Sequence, residues 1–330
     1  MKKILVTGVA GFIASHIVDQ LLTLGYAVVG IDNFSTGKQE TIDYLNTHEQ
    51  AKNFTFIEGD IRDKAFCRQI CKNIDGINHQ AALGSVPRSI KEPQLYVENN
   101  VGGTINLLEG ARLNGVKRFV YASSSSVYGD TPTLPKVETM PLNPKSPYGL
   151  SKAVNEQYAK MYQTIYGLET IGFRYFNVFG PRQDPKSQYA AVIPKFFDQC
   201  FSEQAITING DGKQTRDFTY VDNVVFYNIK ALETDSTATG KVYNSGCEKQ
   251  CSILDLAESI KTLTEKKEVG LTFCESRQGD VKDSLACTKL AEKYLNIDTK
   301  ISLQEGLEAT YKWYKSQLNR NSQVSSSARI

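Results

Sequence analysis

The stretch from residue 3 to residue 32 reads KILVTGVAGFIASHIVDQLLTLGYAVVGID, and it decides the fold. A β-branched run, Lys3 to Thr7, ends in a glycine-rich turn, and apolar residues at helical spacing follow it. A second apolar run, Ala27 to Ile31, completes the segment. Strand, helix and strand in about 30 residues are typical of a βαβ unit.

The alternation of strands and helices continues along the chain. The runs 54–57, 76–78, 118–122 and 170–176 predict further strands, and 95–113 predicts a helix. Such alternation favours a parallel sheet that is covered on both faces. We therefore predict an α/β protein with a Rossmann-type doubly wound parallel sheet and a smaller C-terminal α/β lobe that binds the substrate.

The pattern also predicts how the chain is divided. Residues 1–176 form the sheet domain, which 214–248 is expected to rejoin, while 177–213 and 249–318 form the smaller lobe. Capping boxes predict helix starts at Ser252 and Ser302. Residues 319–330, rich in Ser, Asn and Gln and without periodicity, are predicted to be a disordered tail.

The composition excludes several classes of function. The chain has 330 residues, with 38 Lys and Arg against 36 Asp and Glu, so the net charge of +2 indicates neither a nucleic-acid nor a membrane partner. No apolar run reaches the roughly 20 residues needed to span a bilayer. Seven cysteines and only three histidines complete no zinc site. We expect a cytoplasmic protein with reduced thiols and no metal.

The glycine-rich turn predicts a dinucleotide site. Gly8 and Gly11, between a strand and a helix, let the backbone approach a pyrophosphate at the helix N-terminus. Asp32 ends the second strand, where a carboxylate binds the adenosine ribose hydroxyls. Because no Arg or Lys follows before Lys38 to balance a 2′-phosphate, the sequence favours NAD over NADP.

A tyrosine and a lysine in the segment YGLSK, residues 148–152, predict acid–base chemistry. Tyr148 and Lys152 are four residues apart and therefore share one face of a helix. A free tyrosine has a pKa of about 10 and is a poor base at neutral pH. The lysine charge and a positive nicotinamide ring would favour the phenolate and lower that pKa. Tyr148 is therefore a candidate general base for an alcohol proton.

A run of four serines, residues 123–126, follows the predicted strand 118–122. Hydroxyls at the carboxyl end of such a strand lie in the crevice where this architecture binds ligands. The nucleotide turn, a hydroxyl donor and the Tyr/Lys pair form a set that is more specific than any one of them.

The glycine turn, Asp32, Ser124, Tyr148 and Lys152 resemble the extended short-chain dehydrogenase/reductases, from about residue 3 to 318. Within that family the chain is similar to nucleotide-sugar 4-epimerases, and especially to the bacterial UDP-N-acetylglucosamine 4-epimerases. The matching segments are HQAALGSVPRSI (79–90), RYFNVFG (174–180), YAAVIPK (189–195) and RDF (216–218).

The resemblance implies three sets of site residues. The catalytic residues are Ser124, Tyr148 and Lys152. The NAD-binding residues are Gly8, Gly11, Phe12, Ile13, Asp32, Asn33, Asp60, Ile61, Ala81, Asn99, Tyr148, Lys152 and Tyr175. The substrate-binding residues are Gly84, Ser85, Ser124, Ser125, Ser126, Asn177, Val192, Lys195, Asn209, Arg216, Arg277, Asp280 and Ser284.

The activity that the resemblance implies is reversible 4-epimerisation of UDP-N-acetylglucosamine and UDP-N-acetylgalactosamine through a transient 4-keto sugar. UDP-glucose and UDP-galactose are further candidate substrates. Ser284 is expected to border the sugar near carbon 2, where a small side chain admits an acetamido group; alternatively, it caps a helix starting at Leu285. The resemblance also implies a homodimer, formed through helices that begin near Leu95 and Ser146.

Two residues depart from the family's pattern. Ala14 replaces the third glycine of the turn, which the fingerprint permits. Gln250 stands where close relatives carry a basic residue near the diphosphate, so that one contact is in doubt.

Three alternative functions remain. A UDP-glucuronate 4-epimerase shares the SSSVYG run, although segment 84–90 fits the N-acetylhexosamine group better. A dehydratase or decarboxylase would carry an acidic residue where Ser125 and Ser126 stand. A non-catalytic NAD-sensing protein would usually lose the Tyr/Lys pair, which this chain keeps.

Overall fold

The computed structural model describes residues 1–185, 191–275, 281–297 and 300–327, with side chains described to residue 318. The strands are β1 (Lys3–Thr7), β2 (Ala27–Asp32), β3 (Phe54–Glu58), β4 (Gly76–His79), β5 (Arg118–Ser124), β6 (Glu169–Tyr175), β7 (Val178–Phe179), β8 (Ile206–Asn209), β9 (Thr215–Asp217), β10 (Thr219–Tyr220), β11 (Lys241–Ser245), β12 (Gln250–Ser252) and β13 (Leu271–Cys274). The helices are α1 (Phe12–Thr23), α2 (Gln39–Asn46), α3 (Lys64–Ile70), α4 (Val86–Lys91), α5 (Pro93–Tyr96), α6 (Gly103–Leu113), α7 (Pro147–Tyr166), α8 (Val192–Phe201), α9 (Val221–Glu233), α10 (Ile253–Leu263), α11 (Lys289–Leu295) and α12 (Leu303–Ser327).

The central element is a seven-stranded parallel sheet with the order β11-β6-β5-β4-β1-β2-β3. The order of connection reverses between β1 and β4, so the carboxyl ends of these strands open onto a crevice at the switch point. This arrangement confirms the predicted Rossmann-type fold.

Both faces of the sheet are covered, which explains the continuous apolar runs in its strands. Successive side chains of β1 point to opposite faces. Ile4 and Val6 belong to the core beneath α1, while Leu5 belongs to the core beneath α6 and α7. The helices therefore hold the crevice from both sides.

The helix predicted over residues 95–113 is interrupted. A wider π-helical segment, Val97–Gly102, separates α5 from α6. Gly102 and Gly103 are weak helix formers, and Asn100 hydrogen-bonds the backbone of Leu83 through both ends of its amide. π-Helical turns are frequent at functional sites, and Asn99 of this turn faces the crevice.

The C-terminal part adds three two-stranded pairings, β10–β7, β12–β9 and β13–β8. Its helices start as predicted at the two capping boxes: Ser252 Oγ accepts from Asp255 N at 3.0 Å, and Ser302 Oγ accepts from Glu305 N at 3.3 Å. Segment 214–248 contributes β11, which pairs with β6 at the edge of the main sheet. The division into two domains stays a prediction.

The last helix differs from the sequence prediction. The backbone of α12 stays helical to Ser327, although a disordered tail was predicted from residue 319. No glycine or proline between residues 307 and 327 ends the helix. Within the part of the chain that the structure describes, no helix is long and apolar enough to cross a membrane.

Candidate active site

The glycine turn between β1 and α1 forms the floor of the crevice. Gly8 has φ +78°, and a Cβ on it would lie 2.9 Å from the backbone nitrogen of Ala81. Only glycine avoids both the strained backbone and this clash. Gly11 is the N-cap of α1, and the first turn of α1 carries no acidic side chain. The helix N-terminus therefore presents amide groups to an anion, as the pyrophosphate of NAD requires.

Asp32 lies at the end of β2, beside the glycine turn. Its carboxylate accepts hydrogen bonds from Ala10 N at 3.0 Å and from Phe34 N at 2.8 Å. Burial raises the pKa of Asp32, and these backbone bonds oppose the rise. The carboxylate is thus fixed at the position expected to bind ribose hydroxyls, and it would repel a 2′-phosphate.

A cavity of about 330 Å³ extends from the glycine turn to Tyr148. All of the predicted NAD-binding residues line it except Asp60, which instead accepts from Asn33 Nδ2 at 2.9 Å and pairs with Arg62. The hydrogen bonds from Arg62 lower the pKa of Asp60 to about 2. The carboxylate of Asp60 therefore holds the amide of Asn33, which lines the cavity. Gly84, which was predicted to bind the substrate, also lines this cavity; the lining residues that the sequence analysis missed are Ala14, Ile31, Ser35, Thr36, Gly59, Gln80, Ala82, Ala122 and Ser123.

The Tyr148–Lys152 pair lies on the first turns of α7. Ser146 caps this helix by accepting from Gly149 N at 3.1 Å. Lys152 Nζ donates to the carbonyl oxygen of Ala122 at 2.8 Å, which anchors the lysine to β5. Burial lowers the pKa of Lys152 to about 8, and the charge of Glu156 opposes that fall.

The pKa of Tyr148 differs from the sequence expectation. Burial raises this pKa, and a hydrogen bond with Ser124 lowers it. The ammonium of Lys152, one helical turn further along α7, donates to the Ala122 carbonyl. Burial outweighs the Ser124 bond and favours the neutral phenol, and the positive charge of a bound nicotinamide ring would favour the phenolate.

The hydroxyl of Ser124 is oriented by its own turn. Ser124 Oγ accepts from Ser126 N at 3.2 Å and from Ser126 Oγ at 2.9 Å. A hydroxyl has two acceptor lone pairs and one proton. With both lone pairs occupied, the proton of Ser124 is left to be donated towards the oxygen of Tyr148 or of a substrate.

A second cavity, of about 550 Å³, adjoins the first, and Tyr148, Tyr175 and Gly84 line both. A third, of about 230 Å³, shares Asn177 and Arg216 with the second. The three form one continuous crevice with the Tyr/Lys pair near its middle. The predicted substrate-binding residues along the second and third cavities are Gly84, Ser124, Ser125, Ser126, Asn177, Val192, Asn209, Arg216 and Ser284.

Four of the predicted substrate-binding residues are not placed in these cavities. Ser85 caps α4 by accepting from Arg88 N at 3.1 Å, which is a structural role. Lys195 lies on α8, outside the lining. Arg277 and Asp280 lie outside the described residues. Lining residues of the second cavity that the sequence analysis missed include Lys136, Lys145, Gln183 and Val281.

Ser284 lies in the wall of the second cavity with 7% of its surface exposed. Its hydroxyl accepts from Asn177 Nδ2 at 3.3 Å and from Asp217 N at 3.4 Å. The next helix, α11, begins only at Lys289, so Ser284 caps no helix. The helix-cap alternative is therefore wrong, and the small side chain borders the cavity.

Both departures from the family's pattern are accommodated locally. Ala14 is buried at the start of α1, where its methyl group packs in the core. Gln250 lies on β12 and donates from Nε2 to Thr215 Oγ1 at 2.7 Å; Thr215 is the residue before Arg216 on β9. The amide therefore keeps a contact with this strand but brings no positive charge.

Comparison with known proteins agrees with this geometry. Residues 4–246 match the NAD dependent epimerase/dehydratase family. A UDP-N-acetylglucosamine 4-epimerase from Methanobrevibacter ruminantium, solved in complex with UDP-N-acetylmuramic acid, is 39% identical, with 96% of this chain and 99% of that chain covered and a TM-score of 0.89. The UDP-glucose 4-epimerase of Mycolicibacterium smegmatis is 36% identical over 95% of this chain and 98% of the relative.

A third relative was solved with its cofactor. The UDP-glucuronic acid 4-epimerase of Bacillus cereus, in complex with UDP-glucuronic acid and NAD, is 36% identical, with 96% of this chain and 99% of that chain covered and a TM-score of 0.88. Identities this high over nearly the whole length, together with the glycine turn and the Tyr/Lys pair in one crevice, show that the chain belongs to the NAD dependent epimerase/dehydratase family.

Proposed function

We propose that the chain, an NAD-dependent UDP-sugar 4-epimerase, interconverts UDP-N-acetylglucosamine and UDP-N-acetylgalactosamine. The observation that carries the choice of sugar is Ser284, a small residue in the wall of the cavity beside Ser124 and Tyr148. A small side chain there leaves room for an acetamido group, whereas a bulky one would leave room only for a hydroxyl. UDP-glucose and UDP-galactose, being smaller, fit the same cavity.

In this proposal Tyr148 receives the proton of the sugar 4-hydroxyl, and Ser124 donates a hydrogen bond to the same oxygen. Lys152 adds a positive charge near the phenol and at neutral pH is mostly protonated, since its pKa is about 8. When bound, NAD supplies the redox chemistry, the removal of a hydride from carbon 4 and its return to the other face. Tyr148 then returns the proton to the 4-oxygen of the epimerised sugar.

The second and third cavities supply the binding energy for the nucleotide. Arg216 and Asn177 line both cavities, which supports their assignment to the diphosphate. A guanidinium fork pairs with phosphate oxygens in two parallel hydrogen bonds. Anchoring at the diphosphate leaves the sugar ring free to present either face to the Tyr/Lys pair.

UDP-glucuronate is the second candidate substrate. Lys145 lines the second cavity, and a cation there would pair with a carboxylate at carbon 6. Lys136 also lines it, but its ammonium donates to the carbonyl oxygens of Thr131 and Thr133. A dehydratase is disfavoured because Ser125 and Ser126, which line the cavity, are not acidic.

The deciding experiment is incubation of the purified protein with UDP-N-acetylglucosamine, UDP-glucose and UDP-glucuronate in separate samples, followed by proton NMR. We expect UDP-N-acetylgalactosamine from the first and slower formation of UDP-galactose from the second. Tyr148→Phe serves as the matched inactive control. Turnover of UDP-glucuronate alone would reject the acetylated substrates in favour of the second candidate.

We also propose that the chain forms a homodimer through α7 and the helical segment that begins near Leu95. Leu150, Met161 and Ile165 of α7 are 55%, 42% and 60% exposed, which is unusual for three large apolar residues on one helix. Light scattering after gel filtration should give twice the chain mass of 36.7 kDa. Ile165→Lys should shift the mass towards the monomer, and a wild-type monomer would reject the proposal.

A further inference from the structure

A buried carboxylate lies one helical turn beyond Lys152, outside the crevice. Glu156 is 4% exposed, and its Oε1 accepts from Ser123 Oγ at 2.5 Å and from Arg174 Nε at 3.0 Å. Its Oε2 accepts from Arg174 Nη2 at 2.7 Å. Ser123 and Arg174 are buried too, so the carboxylate makes three hydrogen bonds to buried groups.

Glu156 and its two partners belong to the three elements that hold the catalytic residues and Tyr175. Glu156 is on α7, the helix of Tyr148 and Lys152. Ser123 directly precedes Ser124 at the end of β5, and Arg174 directly precedes Tyr175 at the end of β6. The carboxylate therefore connects the helix that holds the phenol to the strand that holds the catalytic hydroxyl.

The guanidinium of Arg174 extends the network to the far end of the serine turn. Its Nη1 donates to the hydroxyl of Tyr128 at 2.8 Å, and the guanidinium lies 4.7 Å from the centre of the Tyr128 ring. Tyr128 in turn donates to Asn244 Oδ1 at 2.6 Å. Ser123 and Tyr128 flank residues 124–127, so both ends of the turn that contains Ser124 are attached to this ion pair.

We propose that Glu156 is a positioning residue for the reaction, which acts through Ser123 and Arg174 to hold the hydroxyl of Ser124 against the phenol of Tyr148. The inference rests on the proposed roles of Ser124 and Tyr148. Glu156 touches neither the crevice nor those two side chains; it sets the distance between the strand and the helix that carry them. A misplacement of about 1 Å at a reacting group can cost about 100-fold in rate.

Ser123→Ala is the decisive variant, because it removes one hydrogen bond of Glu156 and leaves the buried ion pair intact. We expect kcat to fall about 10- to 100-fold while the KM for the UDP-sugar and the amount of bound NAD stay within about twofold. Ser123→Thr keeps a hydroxyl and should restore most of the activity. Thr264→Ala is the matched control, since it deletes a buried hydroxyl that donates to Ile260 O at the end of α10.

Glu156→Gln gives an independent readout, the pH dependence of kcat. The titratable and charged groups around Glu156 include Tyr121, Arg174, Glu138 and Lys160, and His79 lies near Lys152. Losing the carboxylate charge lets Lys152 release its proton at lower pH, so the high-pH limb of kcat should move to lower pH. Should Glu156→Gln fail to fold, Glu156→Gln combined with Arg174→Gln removes both charges and allows the same measurement.

The outcomes separate this inference from the proposed function. Wild-type protein that converts no UDP-sugar refutes the proposed function. An active wild type with unchanged kcat and pH dependence in Ser123→Ala and Glu156→Gln refutes only the positioning role. Loss of folding stability in Ser123→Ala, with no drop in kcat of the folded fraction, also overturns it, because Glu156 would then be purely structural.

Discussion

The buried carboxylate of Asp217 should make folding stability depend on pH. Asp217 is fully buried beneath the substrate cavity and accepts backbone N–H bonds from Cys247 at 2.8 Å and from Glu248 and Ala286 at 3.0 Å. Burial raises its pKa from 3.8 to about 6, although these bonds oppose the rise. We predict that Asp217→Asn removes this contribution to the pH dependence.

The pH dependence of stability follows from the raised pKa of Asp217. Because the pKa of Asp217 is higher in the folded state, the folded protein holds this proton more tightly than the unfolded chain does. The resulting stability is fully present below pH 3.8 and is lost as the pH rises through about 6. The rise in the pKa of Asp217 from 3.8 to about 6 corresponds to about 3 kcal/mol of folding free energy. Relative to Asp217→Asn, the unfolding free energy of the wild type should therefore fall by about 3 kcal/mol from low pH to pH 7.

The measurement is equilibrium urea unfolding between pH 4 and pH 7.5, with NAD at the same saturating concentration throughout because bound cofactor adds to stability. Asp43→Asn removes an exposed carboxylate of α2 and serves as the matched control. The unfolding free energy of Asp217→Asn is subtracted from that of the wild type at each pH, and the slope of this difference against pH is compared with the prediction. A flat difference, or one that rises with pH, would refute the reasoning about Asp217.

Three further predictions concern the crevice. Tyr148→Phe should lower kcat by about 10²- to 10⁴-fold and leave bound NAD unchanged, whereas Tyr158→Phe on the same helix should retain activity; equal losses would contradict the general-base role. Asp32→Ala should weaken the preference for NAD over NADP, measured by titration of stripped protein, and an unchanged ratio would reject the ribose contact. Ser284→Tyr should lower kcat/KM for the acetylated sugars about 10- to 200-fold more than for UDP-glucose, with Ser284→Ala as control; a uniform loss would show damage to the fold alone.

The fold could be predicted because its signals are local. The β-branched runs and the glycine turn determine β1, α1 and β2, and the ends of β1 and β2 lie within one residue of the predicted runs. The interruption of the helix over 95–113 could not be predicted, because it depends on contacts across the fold. The amide of Asn100 binds the Leu83 backbone, and a Cβ on Gly103 would lie 2.4 Å from Ile61 Cδ1.

In the candidate site, too, some residues could be predicted from local sequence and others could not. Gly8, Tyr148 and Lys152 could be found from sequence because their spacing along the chain reflects their geometry in space. Asp60 and Ser85 were predicted to bind ligands, and in the structure Asp60 pairs with Arg62 while Ser85 caps α4. Arg62 and the backbone of Arg88 bond the same side-chain oxygens that a ligand would need. A sequence motif does not show which of these contacts forms.

Glu156 illustrates what only the folded structure reveals. In sequence it stands four residues after Lys152 and would be interpreted as half of an exposed helical ion pair, which contributes little to stability. In the structure its partner is Arg174 of a neighbouring strand, and both are buried. Burying two charges costs desolvation energy that well-packed apolar residues would avoid, so stability alone does not explain the pair. Its hydrogen bonds to Ser123, and through Arg174 to Tyr128, hold the turn that contains Ser124 at a fixed distance from α7. Ser124 and Tyr148 need that fixed distance because both must reach the same sugar oxygen when the proton is transferred.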